Sequence, residues 1–191
     1  FWMARWAECY YTAFNEYYYE QIDEVIRIIK NKLMQSVLEE KLISCYKVEM
    51  ISFLQSHPEH FEEAIQLAVS DKQPFSWRAA YLLWGCMEDN DKRINKHISS
   101  IINSIKDKKD GHQRELLKIL YRMDIKKKYE GQIFDICMNL WEQISKDPSV
   151  RMTALKFILK ISKQHPELLK EMTFLTQDHY LESLSLGVKR S

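Results

Sequence analysis

The chain has 191 residues, a length that suits one domain or one elongated array of repeats. Its apolar content of 46% and net charge of +1 exclude an intrinsically disordered chain. The 28 Lys and Arg against 27 Asp and Glu leave no overall basic excess of the kind that dedicated nucleic-acid binders carry. Only 4 Gly and 4 Pro are present, which argues against a turn-rich all-β fold and favours long helices with short polar connections.

The cysteines and the apolar runs indicate where in the cell the protein is expected. No CxxC pair occurs among the four cysteines, and their apolar neighbours favour buried, reduced thiols over disulfides. They are Cys9, Cys45, Cys86 and Cys137. No apolar run approaches the roughly 18–20 residues that a membrane-spanning helix needs. The first residues lack the charged, apolar and small-residue regions of a secretory signal peptide. We therefore expect a cytoplasmic protein with no membrane partner.

The N-terminal segment, residues 1–35, predicts one or two capping helices. Aromatic residues recur there every four positions, which places them on one helical face. They are Trp2, Trp6, Tyr10, Phe14 and Tyr18, and an aliphatic stripe follows at Ile22, Val25, Ile26 and Ile29. We expect these helices to cover the first of the repeats that begin at residue 38.

A period of 36 to 37 residues runs through the rest of the chain. The tripeptide His-Pro-Glu occurs at 57–59 and again at 165–167, a separation of 108 residues, or three times 36. Arg78, Arg114 and Arg151 follow the same spacing near the start of helical patterns. When the copies are aligned, apolar residues recur with the spacing of one helical face, although His97 and Thr173 do not fit the pattern.

Four units of two helices each follow from this period. Their connections are short and polar, so the two helices of a unit fold back as antiparallel neighbours. The helix pairs are predicted at 38–55 and 58–70, 75–88 and 93–106, 111–123 and 130–145, and 148–163 and 166–176. Such units stack into a right-handed α-α superhelix within a single domain, 1–191, with 177–191 as a C-terminal tail.

The start of two first helices resembles a known family. HEAT repeats carry an aspartate, a valine-arginine pair and an alanine, and residues 147–154 (Asp-Pro-Ser-Val-Arg-Met-Thr-Ala) are similar to that pattern. Residues 76–83 (Ser-Trp-Arg-Ala-Ala-Tyr-Leu-Leu) resemble a variant of it. The resemblance covers residues 38–176, although the period is shorter than the roughly 40–47 residues usual for HEAT and armadillo repeats. It implies a HEAT-like or armadillo-like array of helix pairs with an extended binding surface.

Basic residues near the predicted ends of the first helices form a candidate binding ladder. In a stack of repeats they would lie along one edge, where they could track a phosphodiester backbone or an acidic partner. The alternative is that these cations stabilise helix C-termini, where the dipole is negative and carbonyls are free. The candidate binding residues are Arg93, Lys126, Lys127, Lys128, Lys160 and Lys163.

A further resemblance, to the HEAT-like proteins that remove alkylated bases from DNA, would make the protein an enzyme. Their clefts combine aromatic residues with an acidic residue and an arginine, and the nearest set here is Trp84, Glu88 and Arg122. The resemblance implies that the carboxylate would stabilise the cationic sugar that forms as the damaged base departs. The acid is Glu rather than Asp and the surrounding motif differs, so packing of Trp84 in the core is the competing interpretation.

No other constellation points to chemistry. His57 and His60 are three residues apart, with Glu62 and Glu63 nearby, but a third well-spaced metal ligand is not evident. The GxSxG, P-loop, GxGxxG and HExxH motifs do not occur, and the sequence predicts no metal and no cofactor. We therefore expect a non-enzymatic scaffold that binds a protein or peptide, with a DNA-binding or base-excising protein as the alternative.

Overall fold

The computed structural model describes residues 21–22, 35–182, 184 and 187, except the side chains of 169–172. The predicted N-terminal cap, 1–35, therefore lies almost wholly outside the described residues. All regular secondary structure in the described part is helical, which confirms the predicted all-α class. The chain divides between Glu40 and Lys41 into two compact units, and nearly all the helices below belong to the second unit. No helix among the described residues is long and apolar enough to cross a membrane.

The helices follow one another with short connections. The α-helices are α1 (Val37–Ser44), α2 (Lys47–Ser56), α3 (Phe61–Val69), α4 (Phe75–Cys86), α5 (Ile98–Ser104), α6 (Asp110–Tyr121), α7 (Lys127–Glu142), α8 (Pro148–Ser162) and α9 (Asp178–Leu181). Three segments form 3₁₀ helix, namely Pro58–His60, Asn95–His97 and Pro166–Thr176. The bounds of α6, α7 and α8 differ from the predicted helices by at most three residues. The grouping of the helices into four units of one domain, with a cap and a tail, stays a prediction.

The prediction of one continuous helix over 38–55 is wrong, because the chain breaks at Cys45 and Tyr46. Tyr46 has an extended backbone with ψ of 167°, and its N–H donates to the Glu49 carboxylate at 3.0 Å, which caps the start of α2. The Arg78 guanidinium donates to the Cys45 carbonyl at 3.0 Å. A continuous helix would have used that carbonyl for its own hydrogen bonding, so the break leaves it available to the next repeat.

The helices pack in two rows. The first helices of the predicted units, α2, α4, α6 and α8, pack consecutively against one another, and α3, α5 and α7 form the second row. The rows are joined most closely where α3 packs against α4 and α7 against α8. Because α6 lies between α4 and α8, it is enclosed on most sides, and even Gln113 and Glu115 are buried there. The core therefore runs between the rows, and exposed polar residues occupy the other side of α5 and α7.

Polar contacts join neighbouring repeats at separations close to the sequence period. Lys146 Nζ donates to the Asp110 carboxylate at 2.8 Å, 36 residues away. His97 Nε2 lies 3.0 Å from Glu62 Oε1, and His165 Nε2 lies 3.0 Å from Glu130 Oε2, each pair 35 residues apart. The His97 contact explains why a histidine occupies a position that is apolar in most other copies, since it pairs with a carboxylate of the preceding unit.

The last repeat is held by Arg151 and Trp141, both fully buried. Arg151 Nε donates to the Trp141 carbonyl at 3.0 Å, and one of its terminal nitrogens donates to the Tyr180 carbonyl at 2.7 Å. The Trp141 ring lies 4.7 Å from the guanidinium carbon, and its Nε1 donates to the Leu175 carbonyl at 3.0 Å. Burial lowers the pKa of Arg151, but its hydrogen bonds to carbonyls satisfy the charge in place of water.

Candidate functional site

An open cleft of about 470 Å³ lies between the end of α5 and the exposed side of α7. Its apolar lining comes from Ile105, Ile136 and Leu140, which are buried in the core between the rows. Its polar lining consists of Lys106, Gln113, Gln132, Asp135, Asn139, Gln143 and Lys146. A cleft with an apolar base and convergent polar groups is the usual form of a binding site. We call it the α5–α7 cleft.

Two side-chain amide pairs lie at the α5–α7 cleft. Gln132 Nε2 donates to Asn103 Oδ1 at 2.9 Å and so connects α7 to α5. Gln143 Nε2 donates to Asn139 Oδ1 at 2.5 Å within α7. Each amide carries two N–H donors and a two-lone-pair acceptor, so one hydrogen bond leaves capacity for both donation and acceptance. All four side chains are exposed, which makes that capacity accessible to a partner.

A second open cleft, of about 350 Å³, lies on the other side of α7, against α8 and the 3₁₀ segment Pro166–Thr176. Gly131, Phe134, Ile161 and Leu168 form its apolar lining, and its charged lining comes from Lys127, Glu130 and His165. We call it the α7–α8 cleft. Because Gly131 has no side chain and is exposed, the backbone of α7 itself is accessible there.

An ion pair between Glu130 and His165 stands beside the α7–α8 cleft. The hydrogen bond that Glu130 accepts from His165 raises the pKa of His165, and a second carboxylate, Glu167, lies 3.4 Å from Nδ1 and adds to the same effect. The Glu62–His97 pair, earlier in the chain, has a different balance of charges. Hydrogen bonds from Lys96 and then His97 lower the pKa of the Glu62 carboxyl to about 2.

Two members of the predicted basic ladder, Arg93 and Lys160, are occupied within the chain. Arg93 donates to both oxygens of Asp91 at 3.0 and 2.6 Å and covers the Phe61 ring at 3.6 Å. Lys160 donates to the carbonyls of Tyr121 and Met123, at the end of α6, at 2.6 and 3.1 Å. Partial burial lowers the pKa of Lys160, which is consistent with an ammonium group partly shielded from water by the end of α6. Lys160 thus acts as a helix C-terminal cation, the alternative considered from the sequence.

The other members of the ladder are exposed. Lys163 follows the last residue of α8, whereas Lys126, Lys127 and Lys128 lie at the N-terminus of α7 and not at the end of the preceding helix. The prediction placed that helix start at residue 130, three residues too late. Positive charges are unfavourable at a helix N-terminus, where the dipole is already positive. These three lysines therefore do not stabilise the helix that carries them.

The three residues of the enzymatic alternative are only partly brought together. Arg122 donates to the Trp84 carbonyl at 3.2 Å and to Asp89 at 2.6 Å, so its ion pair is with Asp89 and not with Glu88. Glu88 is exposed. The Trp84 ring is half-buried, with Lys118 Nζ at 4.5 Å and Lys47 Nζ at 5.6 Å from its centre.

The histidines and cysteines show no metal site in the described part of the chain, and two of the thiols are unreactive. His57 Nδ1 lies 3.0 Å from the Phe53 carbonyl, and His60 Nδ1 lies 2.8 Å from the Glu63 carboxylate. In the described part of the chain, no three His, Cys, Asp or Glu residues are grouped as metal ligands. Burial raises the pKa of the Cys137 thiol and raises that of Cys86 to about 11, which keeps both thiols protonated and unreactive at neutral pH.

One comparison with known proteins identifies the family of the chain. A model of the HEAT repeat domain matches residues 20–191. The chain belongs to the HEAT repeat family. A search of curated proteins and a search of solved structures each found no match. Membership of the HEAT repeat family makes the protein a helical scaffold of the kind that mediates protein interaction.

The clefts of this HEAT repeat protein were missed by sequence reasoning. Asn103, Gln132 and Asn139 are ordinary polar residues on exposed helix positions, and the sequence does not indicate that α5 and α7 bring two of them into contact. Gly131 was the one available signal. It lies within a helical pattern, where a glycine lowers helix stability and often has a packing or functional reason.

Proposed function

We propose that this HEAT repeat protein is a non-enzymatic scaffold that binds a protein partner through an extended peptide segment lying along α7. The observation that carries the proposal is the presence of the two open clefts, the α5–α7 cleft and the α7–α8 cleft, on either side of this one helix. A segment lying along α7 would reach both clefts at once. It would bury the apolar linings while its main chain contacts the exposed polar side chains of the helix.

The amide groups support a peptide as the ligand. Gln132 and Asn139 are seven residues apart on α7, or about 10.5 Å at 1.5 Å per residue. An extended chain covers that distance in about three residues at 3.2–3.4 Å each. Peptide N–H and C=O groups along such a segment would meet side-chain amides that can both accept and donate. Amides recognise a main chain irrespective of its sequence, so the selectivity would come from the side chains that enter the clefts.

The charge distribution favours this function over DNA binding. A binding surface for a duplex needs several cations free to neutralise phosphates, and two of the six ladder residues, Arg93 and Lys160, are already occupied by Asp91 and by carbonyls. The Trp84 ring, which the base-excising alternative needs for stacking, is flanked by two lysines. Its partner Arg122 is held by Asp89.

The experiment selects binders from a phage-displayed library of random short peptides, using the purified protein as bait. Enriched peptides are then synthesised with a fluorophore, and their affinity is measured by anisotropy for the wild type and for the double variant Gln132→Ala/Asn139→Ala. Labelled single-stranded and double-stranded DNA are titrated in parallel. Ser99→Ala serves as the matched control, because Ser99 is exposed on α5 and lines neither cleft.

The proposal expects peptides that bind the wild type and the Ser99→Ala control equally and the double variant at least several-fold more weakly. It fails if no peptide is enriched. It also fails if DNA binds tightly with a steep salt dependence while the selected peptides do not compete with it, since that result belongs to a nucleic-acid-binding protein.

A further inference from the structure

Gly131 occupies a position in α7 that no contact within the described residues requires. It is the fifth residue of a 16-residue helix, where glycine is less favourable than alanine. Apart from its chain neighbours and the backbone of its own helix, a Cβ added there would meet no atom within 4 Å, so neither close packing nor a special backbone angle explains the glycine. What its small size does provide is an exposed stretch of α7 backbone at the α7–α8 cleft. A partner's main chain could approach there more closely than over any larger residue.

The lining next to Gly131 is suited to an apolar side chain. Phe134 and Leu168 are half-buried and Ile161 is buried, so their exposed parts form the apolar part of an open cleft. A volume of about 350 Å³ is at the small end of ligand pockets, which suits one large anchoring side chain better than a whole cofactor. Anchors of this kind, inserted into a pocket at the centre of an interface, carry most of the binding energy in many complexes.

The charge at this end of α7 is positive, and no carboxylate among the described residues neutralises it. Lys126, Lys127 and Lys128 are all exposed, and Lys127 lines the cleft. No carboxylate of the described residues forms an ion pair with any of the three, and the nearby Glu130 is engaged by His165 at 3.0 Å. The positive end of the α7 dipole adds to the same field. Three lysines at a helix N-terminus destabilise the helix, so a negatively charged partner would remove this unfavourable charge when it binds.

We propose that the α7–α8 cleft binds an acidic peptide segment, with an apolar anchor side chain against Phe134, Ile161 and Leu168 and carboxylates over Lys126, Lys127 and Lys128. The main chain beside the anchor passes over Gly131. This assignment rests on the proposed scaffold function and adds the chemistry of the partner, because a neutral or basic segment would leave the three lysines exposed at the cleft. It also gives Lys126, Lys127 and Lys128 a role in binding, whereas their positions at the N-terminus of α7 do not stabilise that helix.

The test uses the same random-peptide selection on the intact protein and adds two variants. Gly131→Leu places a side chain over the cleft; its Cβ has room at this position, and thermal unfolding verifies that the variant is folded. Lys127→Glu/Lys128→Glu reverses two charges and places acids in the first turn of α7, which favours the helix. Thermal unfolding verifies that this second variant is folded, so that a loss of binding can be assigned to the changed charges. Ser99→Leu is the control for adding an apolar side chain at an exposed position of the same row.

The expected result is that peptides selected by the wild type are enriched in Asp and Glu next to a large apolar residue. Gly131→Leu should weaken the selected peptides about ten-fold or more, equivalent to about 1.4 kcal/mol for each factor of ten, and Ser99→Leu should not. Lys127→Glu/Lys128→Glu should select peptides in which the apolar residue remains and the acidic residues are lost.

Two results would overturn the assignment and leave the scaffold function standing. One is a set of tightly bound peptides with no more Asp and Glu than the library. The other is a set whose affinity is unchanged by Gly131→Leu but lowered by the Gln132→Ala/Asn139→Ala variant, which would place the segment in the α5–α7 cleft alone. Failure to select any peptide from the library would overturn both proposals together.

Discussion

Replacing Gly131 by alanine should stabilise the protein. Alanine is favoured over glycine by about 0.8–1.0 kcal/mol in a helix interior, because glycine loses more backbone freedom on folding. At Gly131 no structural term offsets this gain, since the added methyl group would have no neighbour within 4 Å. We therefore expect Gly131→Ala to raise the free energy of unfolding by nearly the full amount. For a chain of this size the melting temperature should rise by about 2–4 °C.

Gly85→Ala provides the matched comparison. Gly85 is also helical, but an added Cβ would lie 3.1 Å from Ile51 Cδ1, and the residue is one position from the end of α4. Both features reduce the gain, so Gly85→Ala should stabilise the protein less than Gly131→Ala. Urea unfolding followed by circular dichroism measures both, with an unchanged m-value showing that the denatured state is unaltered. If Gly131→Ala proves neutral or destabilising, α7 is not the regular, unobstructed helix from which the α7–α8 cleft is inferred.

Three further outcomes are expected. Trp141→Phe removes the donor to the buried Leu175 carbonyl and should lower the free energy of unfolding by about 1–3 kcal/mol. Trp84→Phe, at a half-exposed ring, should lower it clearly less. Equal losses of unfolding free energy in urea would contradict the role of that hydrogen bond. The raised pKa of His165 means that its contribution to stability is full below its ordinary pKa of 6.5 and is lost as the pH rises through the raised value. His165→Gln should therefore lower the melting temperature at about pH 5.5 and have little effect at about pH 9, and a uniform effect would rule the ion pair out. Burial lowers the pKa of His112, so the contribution of His112 to stability is present above pH 6.5 and declines as the pH falls. His112→Gln should therefore reduce the loss of unfolding free energy between about pH 7 and 5. If the pH dependence of stability is unchanged in this variant, His112 is not its cause.

Most of the helical framework could be predicted from local sequence signals. The Asp147–Pro148 start of α8 follows from the suitability of proline for the first turn, and the buried face of that helix follows from its 3.6-residue periodicity. These signals are local, because they depend on residues within one or two turns. The same reasoning missed the break between α1 and α2, although the cap that starts α2 is local, from the Tyr46 N–H to Glu49. What residues 38–55 alone could not show is the partner of the freed Cys45 carbonyl, which accepts from Arg78, 33 residues away.

The candidate site was harder to predict than the fold, because a sequence shows which residues are charged but not which groups they contact in the folded chain. Six basic residues were proposed as one ladder, but the structure pairs Arg93 with Asp91 and places Lys160 against the end of α6. Lys126, Lys127 and Lys128 begin α7 and are the part of the ladder that contributes to a proposed site. Gly131 makes no side-chain interaction, yet it points to the position of the proposed site more directly than most of the charged residues do.

The sequence by itself determined the all-α class, the 36–37-residue spacing and membership of the HEAT repeat family, since each depends on residue types that recur at fixed intervals. Only the tertiary structure decided which cations are occupied and where the clefts lie. A cleft is present where the side chains of packed neighbouring helices leave space at the surface, and an ion pair is present because two side chains about 35 residues apart meet. Both depend on the distance between helices, which packing sets and which no local pattern in the chain encodes.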